Sequence, residues 1–110
     1  MIDVNLKSGD TLPALIVKVI QENGTVVNLT GATVEFSMRK AGTTNVVIDS
    51  AEATVIQPES EGRVRFDWIP GTTDDIGVYE AEFRVSYGTE EYFTVPTNGF
   101  ITIQISDGIS

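Results

Sequence analysis

The sequence predicts an all-β fold, an antiparallel β-sandwich of about seven to nine strands. Three observations carry this. Apolar residues alternate with a period of two over several segments, which places every second side chain on one face of a strand. No segment has a helical period of any length. Turn residues recur about every 8 to 12 positions, the spacing of short strands joined by hairpins. With 110 residues, 41% hydrophobic and 21% charged, residues 1–110 are expected to form one domain whose core needs no cross-link. Cysteine is absent, so no disulfide is available.

The elements follow in order. Residues 1–10 alternate weakly through Ile2, Val4 and Leu6 and end at Ser8-Gly9-Asp10. They are either a first edge strand or an arm that orders only on a neighbour. Leu12 to Ile20 is strongly apolar, with Pro13 at its start, where a missing N–H does least harm. Leu15, Val17 and Val19 share one parity, and Ile16 and Ile20 share the other. Either this strand is central and covered on both sides, or its second face docks on another subunit. Ile16 and Ile20 are therefore candidate interface residues. Glu22-Asn23-Gly24-Thr25 marks a hairpin, since Asn-Gly accepts the positive φ angles of a type I′ turn; Val26 to Leu29 then returns.

Between Ala32 and Arg39 the alternation is clean: Val34, Phe36 and Met38 face one way, Thr33, Glu35, Ser37 and Arg39 the other. Asn45 to Asp49 and Ala53 to Ile56 are short apolar segments around Ser50. Pro58 to Gly62 is a turn. Val64, Phe66 and Trp68 are expected to point in, and Arg63, Arg65 and Asp67 out. The polar run Pro70 to Asp75 has room for one short helical turn. Val78 to Tyr87 alternates throughout, with Tyr79, Ala81, Phe83, Val85 and Tyr87 on one face. Gly88 and its neighbours make the next hairpin. Glu91 to Val95 and Phe100 to Ile105 form the last strand, broken at residues 96–99.

The run Asp75-Ile76-Gly77-Val78-Tyr79 has the spacing of the tyrosine corner of immunoglobulin-type domains. There a phenol ties down the turn by which the chain crosses between sheets. The fold class is accordingly immunoglobulin-like, with Asp75, Gly77 and Tyr79 as a structural site. Where such domains carry a cysteine, two residues on, this chain has Ala81, and Trp68 is expected to supply the missing bulk.

Catalytic chemistry finds little to work with. Histidine and cysteine are both absent, which excludes Ser-His-Asp and Cys-His arrangements and zinc sites built on those ligands. No catalytic residue, metal or cofactor is expected, and the chain is not read as an enzyme. Asp67, Asp74 and Asp75 supply carboxylates, but not at the spacing of a calcium loop, and read as a solvated acidic turn. No glycine-rich phosphate loop follows a strand. Asn28-Leu29-Thr30 matches a glycosylation triplet, but no secretory signal accompanies it. The net charge of −9, from 16 acidic and 7 basic residues, opposes nucleic acid and anionic membranes as partners. No stretch approaches the length of a membrane span.

Phe36, Phe66, Trp68 and Phe83 fall on apolar faces and read as core. Tyr87, Tyr92 and Phe100 lie near loops or on the wet face, a candidate surface aromatic patch. Such a patch serves a protein contact or, in a carbohydrate-binding or adhesin module, a sugar.

Four stretches carry a resemblance: Gly-Asp-Thr-Leu-Pro at 9–13, the segment at 23–39 ending Val-Glu-Phe-Ser-Met-Arg, Gly-Arg-Val-Arg-Phe-Asp-Trp at 62–68, and Gly-Val-Tyr-Glu-Ala-Glu-Phe at 77–83. From about residue 9 to 105 the chain resembles the N-terminal domain of the baseplate upper protein family of tailed phages, and short virion proteins of that type. These motifs are turns and core strands, so they specify fold better than role. The resemblance implies a non-enzymatic β-sandwich in the virion, synthesised in the host bacterial cytoplasm. It also implies a place in a tail or baseplate assembly, with other virion proteins as partners and several copies or a homo-oligomer in the particle. The alternatives are a carbohydrate-binding or adhesin module and a capsid decoration protein.

Overall fold

Wherever the sequence alternates with a period of two, the backbone is extended. The computed structural model of the chain describes residues 3–12, 14–21, 23–88, 90–96 and 100–107. The expectations that fell on Ile2, Pro13, Glu22 and residues 97–99 lie outside the described residues. The strands are β1 (Asp3–Lys7), β2 (Leu15–Lys18), β3 (Thr33–Lys40), β4 (Val46–Val55), β5 (Arg63–Phe66), β6 (Gly77–Ser86), β7 (Tyr92–Val95) and β8 (Ile101–Ser106). A 3-10 turn, Glu59–Glu61, precedes β5. No helix among the described residues is long and apolar enough to cross a membrane.

Hydrogen bonds join the strands in the order β1-β8-β6-β3-β4-β5-β2, with β7 added to β6. The sheet curls over so that its β5 end faces its β3 and β6 strands. The bend is in β4. Ala53 of this strand pairs with Val34 of β3, and the next residues, Thr54 and Val55, pair with β5. The sequence suggested two short segments around Ser50. They are one strand, kinked where Ser50 adopts a φ of 53°. The β3–β4 register shifts between Phe36 and Met38 and again between Met38 and Arg39. The extra β4 residues bend the strand and raise its twist. Ser37 Oγ accepts the Ser50 N–H at 3.0 Å, which fixes the kink.

The sheet is mixed, which corrects the expectation of a purely antiparallel one. β1 runs parallel to β8, from Asp3 opposite Thr102 to Lys7 opposite Ser106. No hairpin joins these two strands, and an alternating pattern specifies a strand without its direction. Residues 3–7 thus form an edge strand. β7 and β8 share one edge of β6: β8 pairs with Gly77–Ala81 and β7 with Phe83–Ser86. This is the interrupted last strand read from the sequence. The first hairpin also differs in detail. Gly24 has a φ of 87°, and its N–H bonds Gln21 O, so this turn closes one residue earlier than a type I′ turn centred on Asn23-Gly24, which would close from the Thr25 N–H. Asn23 instead accepts the Thr25 N–H on its side-chain oxygen at 2.9 Å.

The core lies inside the curl. Val34, Phe36, Met38, Ala81, Phe83 and Val85 of one layer meet Val64, Phe66 and Trp68 of the other. The Phe36 and Phe66 rings stack at 4.3 Å, and Trp68 meets both edge-on at 5.7 and 5.6 Å. Phe83 completes the cluster at 5.0 Å from Phe36. Val64, Phe66 and Trp68 point in, with Arg65 and Asp67 exposed and Arg63 half-buried, as the alternation requires. The Trp68 indole N–H finds no partner among the described residues, so this side chain is held by packing alone.

Two stability outcomes follow. Trp68→Ala should cost about 3–5 kcal/mol, as deletion of a buried aromatic ring does; a urea midpoint equal to wild type would contradict this placement. Gly62 ends the 3-10 turn with a φ of 67°. A Cβ there would stand 2.8 Å from Val27 O and 3.0 Å from Val19 O. Gly62→Ala should therefore cost at least about 1–2 kcal/mol from left-handed strain alone, with the backbone clash added. Differential scanning calorimetry measures it.

Candidate interaction site

At one end of the molecule the entry to β6 is tied down. Tyr79 is buried, and its hydroxyl donates to Asp75 O at 2.9 Å. Gly77 opens β6 opposite Ile105. Burial raises the Tyr79 phenol above its ordinary pKa, and the Asp75 charge adds to this. Thr73 is fully buried in the same corner. Its hydroxyl donates to Asp10 O at 2.8 Å, and its own carbonyl accepts the Gly9 N–H at 2.9 Å. The Ser8 hydroxyl donates to Asp74 O. Asp74 and Asp75 thus contribute main-chain carbonyls, while the Asp67 side chain accepts from Arg65 Nε at 2.9 Å. No three acidic side chains converge among the described residues. Thr73 was missed in the sequence, where a threonine in a polar loop gives no sign of burial.

The other notable features are surfaces. β2 ends the strand order, so its far edge has no partner among the described strands. It is therefore not a central strand covered on both sides. Ile16 and Ile20 are 57% and 51% exposed. The register sets Ile16 opposite Arg65 and Lys18 opposite Arg63. An apolar side chain and three cations thus share the outer face of β2 and β5.

Beyond β2, an open cavity of about 550 Å³ separates the first hairpin from the end of β6 and β7. Val19, Ile20 and Val27 form one wall; Tyr87, Phe93 and Val95 form the other. The Tyr87 hydroxyl joins the walls, donating to Asn28 O at 2.7 Å. Its ring stacks on Phe93 at 6.3 Å, and burial raises its pKa. The Asn28 side-chain oxygen is engaged locally, accepting from Thr30 N and Oγ1 at 3.0 and 2.6 Å.

The three surface aromatics are not brought together. Tyr87 continues the inward parity of β6 and lines the cavity. Tyr92 pairs with Ser86, an outward position, and the Arg84 guanidinium lies 4.1 Å from its ring centre. Phe100 sits under Arg39 at 4.8 Å, and Arg39 also pairs with Glu80 at 3.1 Å. What gathers near β2 is apolar surface, positive charge and an open strand edge. That chemistry suits contact with another macromolecule.

Residues 2–109 match the family model described as the BppU N-terminal domain, BppU being the baseplate upper protein. No curated protein matches the chain.

The Tyr79 bond has a pH signature. Below the unfolded pKa of 10.0 the phenol is protonated in both states, and its contribution is complete. As pH rises through the higher folded value, a phenolate must form in the interior, and that stability is lost. Tyr79→Phe should lower stability by about 1 kcal/mol at neutral pH and flatten the alkaline loss. Urea titrations at neutral and alkaline pH measure both.

Proposed function

Because the chain belongs to the BppU N-terminal domain family, we propose that it is a non-enzymatic structural subunit of a tailed-phage virion, working in the baseplate through contacts with other virion proteins. The observation that carries this is the match over residues 2–109, nearly the whole chain. The surface supports it: Ile16 stands exposed on the terminal strand β2 and Ile20 stands exposed just beyond it, and exposed apolar surface favours interfaces. The lack of histidine and cysteine fits a subunit that assembles rather than reacts. An immunoglobulin-like arrangement of one domain accompanies this reading. Its supports are the two facing layers and the phenol that anchors the entry to β6.

The carbohydrate-binding alternative asks for bare aromatic rings on one side. Arginines lie over Tyr92 and Phe100, and Tyr87 turns into the cavity. No observation favours that reading or a place on the capsid surface.

The role is tested by quantifying the chain in gradient-purified particles, where it should be present at a fixed stoichiometry. Particles that assemble normally without it would remove the proposal. Ile16→Glu and Ile20→Glu should leave the stability of the isolated chain within about 0.5 kcal/mol, as surface changes do, while incorporation into particles falls. If both variants enter particles at wild-type levels, β2 is not the contact.

A further inference from the structure

In an antiparallel ladder, successive residues of a strand turn their N–H and C=O to alternate edges. From β2 into the first hairpin, the odd-numbered residues turn toward the sheet. Val19 N–H bonds Gly62 O at 2.7 Å, Val19 O accepts the Val27 N–H at 3.0 Å, and Gln21 N–H bonds Thr25 O at 2.8 Å. Ile16, Lys18 and Ile20 therefore turn theirs to the far edge, where the described residues supply no strand. The side chains of the same three residues are exposed. β1, at the opposite end of the strand order, differs: its exposed Asn5 and Lys7 are polar. An open edge that carries two isoleucines is a template for pairing with another chain.

The cavity beyond β2 adjoins this edge. Val19 and Ile20 belong to one of its walls, Phe93 and Val95 to the other. A free edge with an apolar hollow beside it fits one kind of occupant. We propose that a single extended segment of a neighbouring virion subunit adds to β2 as a further strand of the layer that ends there. Its main chain pairs with Ile16, Lys18 and Ile20. Its side chains opposite Val17 and Val19 share the inner face and are apolar, and the one beside Val19 reaches the cavity. Opposite Lys18 it carries a carboxylate. Lys18 makes no ion pair among the described residues, and opposite charges directly across a ladder stabilise it. The same lysine discourages strands that lack the acid, as lysines on edge strands do. Main-chain bonds then supply affinity and the alternating side chains selectivity. This gives the contact for the reading of the chain as an assembling subunit, and it rests on that reading.

Hydrogen–deuterium exchange over residues 14–21, compared between the purified chain and gradient-purified particles, reads the contact. In the purified chain the Ile16, Lys18 and Ile20 amides should exchange freely, while the Val19 amide, bonded to Gly62, stays protected. In particles the three outward amides should slow by about a hundredfold or more. A pair of variants checks the main-chain bond itself. Lys18→Pro removes an N–H that faces away from β5, a position where a sheet tolerates proline; Lys18→Thr keeps that N–H. Incorporation of the proline variant should be about tenfold below that of the threonine variant, with the thermal midpoints of the two purified chains alike. A proline variant that fails to fold shows as a lost midpoint, and the exchange comparison, made on the wild-type chain, then decides. Particles that hold the chain with its outward amides still exchanging freely overturn the proposal and leave its place in the virion intact; particles that lack the chain overturn both. Protection already present in the purified chain at high concentration assigns the edge to a second copy and overturns the proposal. So does a folded proline variant that is incorporated as well as the threonine variant.

Discussion

Everything else in this fold depends on the contact of Phe36 with Phe66. The rings stand 4.3 Å apart although their strands are separated in the sheet by β4. Strands two apart in a flat sheet lie roughly 10 Å from each other. The contact therefore exists only because the sheet folds over itself. With no cysteine in the chain, apolar packing must hold the layers together. Trp68 and Phe83 complete the cluster, and fully burying each such side chain contributes about 1.5–3 kcal/mol. Ala81, small and almost fully buried, fits within this aromatic packing without adding bulk of its own.

The same fold-over decides which surfaces are left open. One layer holds β1, β8, β6, β7, β3 and most of β4; the other holds only the end of β4, β5 and β2. A narrow layer cannot cover a wide one. The uncovered part falls at the far end of β6 and along β7, and the hairpin after β2 only partly closes over it. The cavity between Val19, Val27, Phe93 and Val95 is the gap that this mismatch leaves. The exposed edge of β2 has the same origin, because the smaller layer ends there. Apolar surface near β2 is thus a consequence of how unequally β4 divides the sheet.

Local pattern was legible in the sequence; long-range pairing was not. The parity of Val64, Phe66 and Trp68, and of Tyr79 to Val85, could be read because side-chain direction alternates residue by residue. The spacing from Asp75 to Tyr79 could be read because that hydrogen bond spans only four residues. The direction of β1 could not, since it is set by a partner almost a hundred residues away. Nor could the burial of Thr73, whose hydroxyl bonds Asp10 from across the fold. Tyr87, Tyr92 and Phe100 read as one patch because each lies near a loop or on the wet face. Tyr87 instead follows the parity of β6 to line the open cavity, and Tyr92 faces outward beside Arg84. The opposition of Lys18 to Arg63 became visible only with the strand registers.

Net charge and local charge act differently on such a chain. At −9, two copies approaching at random repel, which keeps them soluble and apart. Repulsion of this kind is long-ranged, but salt confines it to about 10 Å at moderate ionic strength. Within that distance the local distribution dominates. Three of the seven basic residues, Lys18, Arg63 and Arg65, lie together on the outer face of β2 and β5. An acidic surface can come close to this one face while the rest of the molecule turns it away. Positive charge therefore gathers around an exposed isoleucine here, tempered by the Asp67 and Glu61 carboxylates that pair with Arg65 and Arg63.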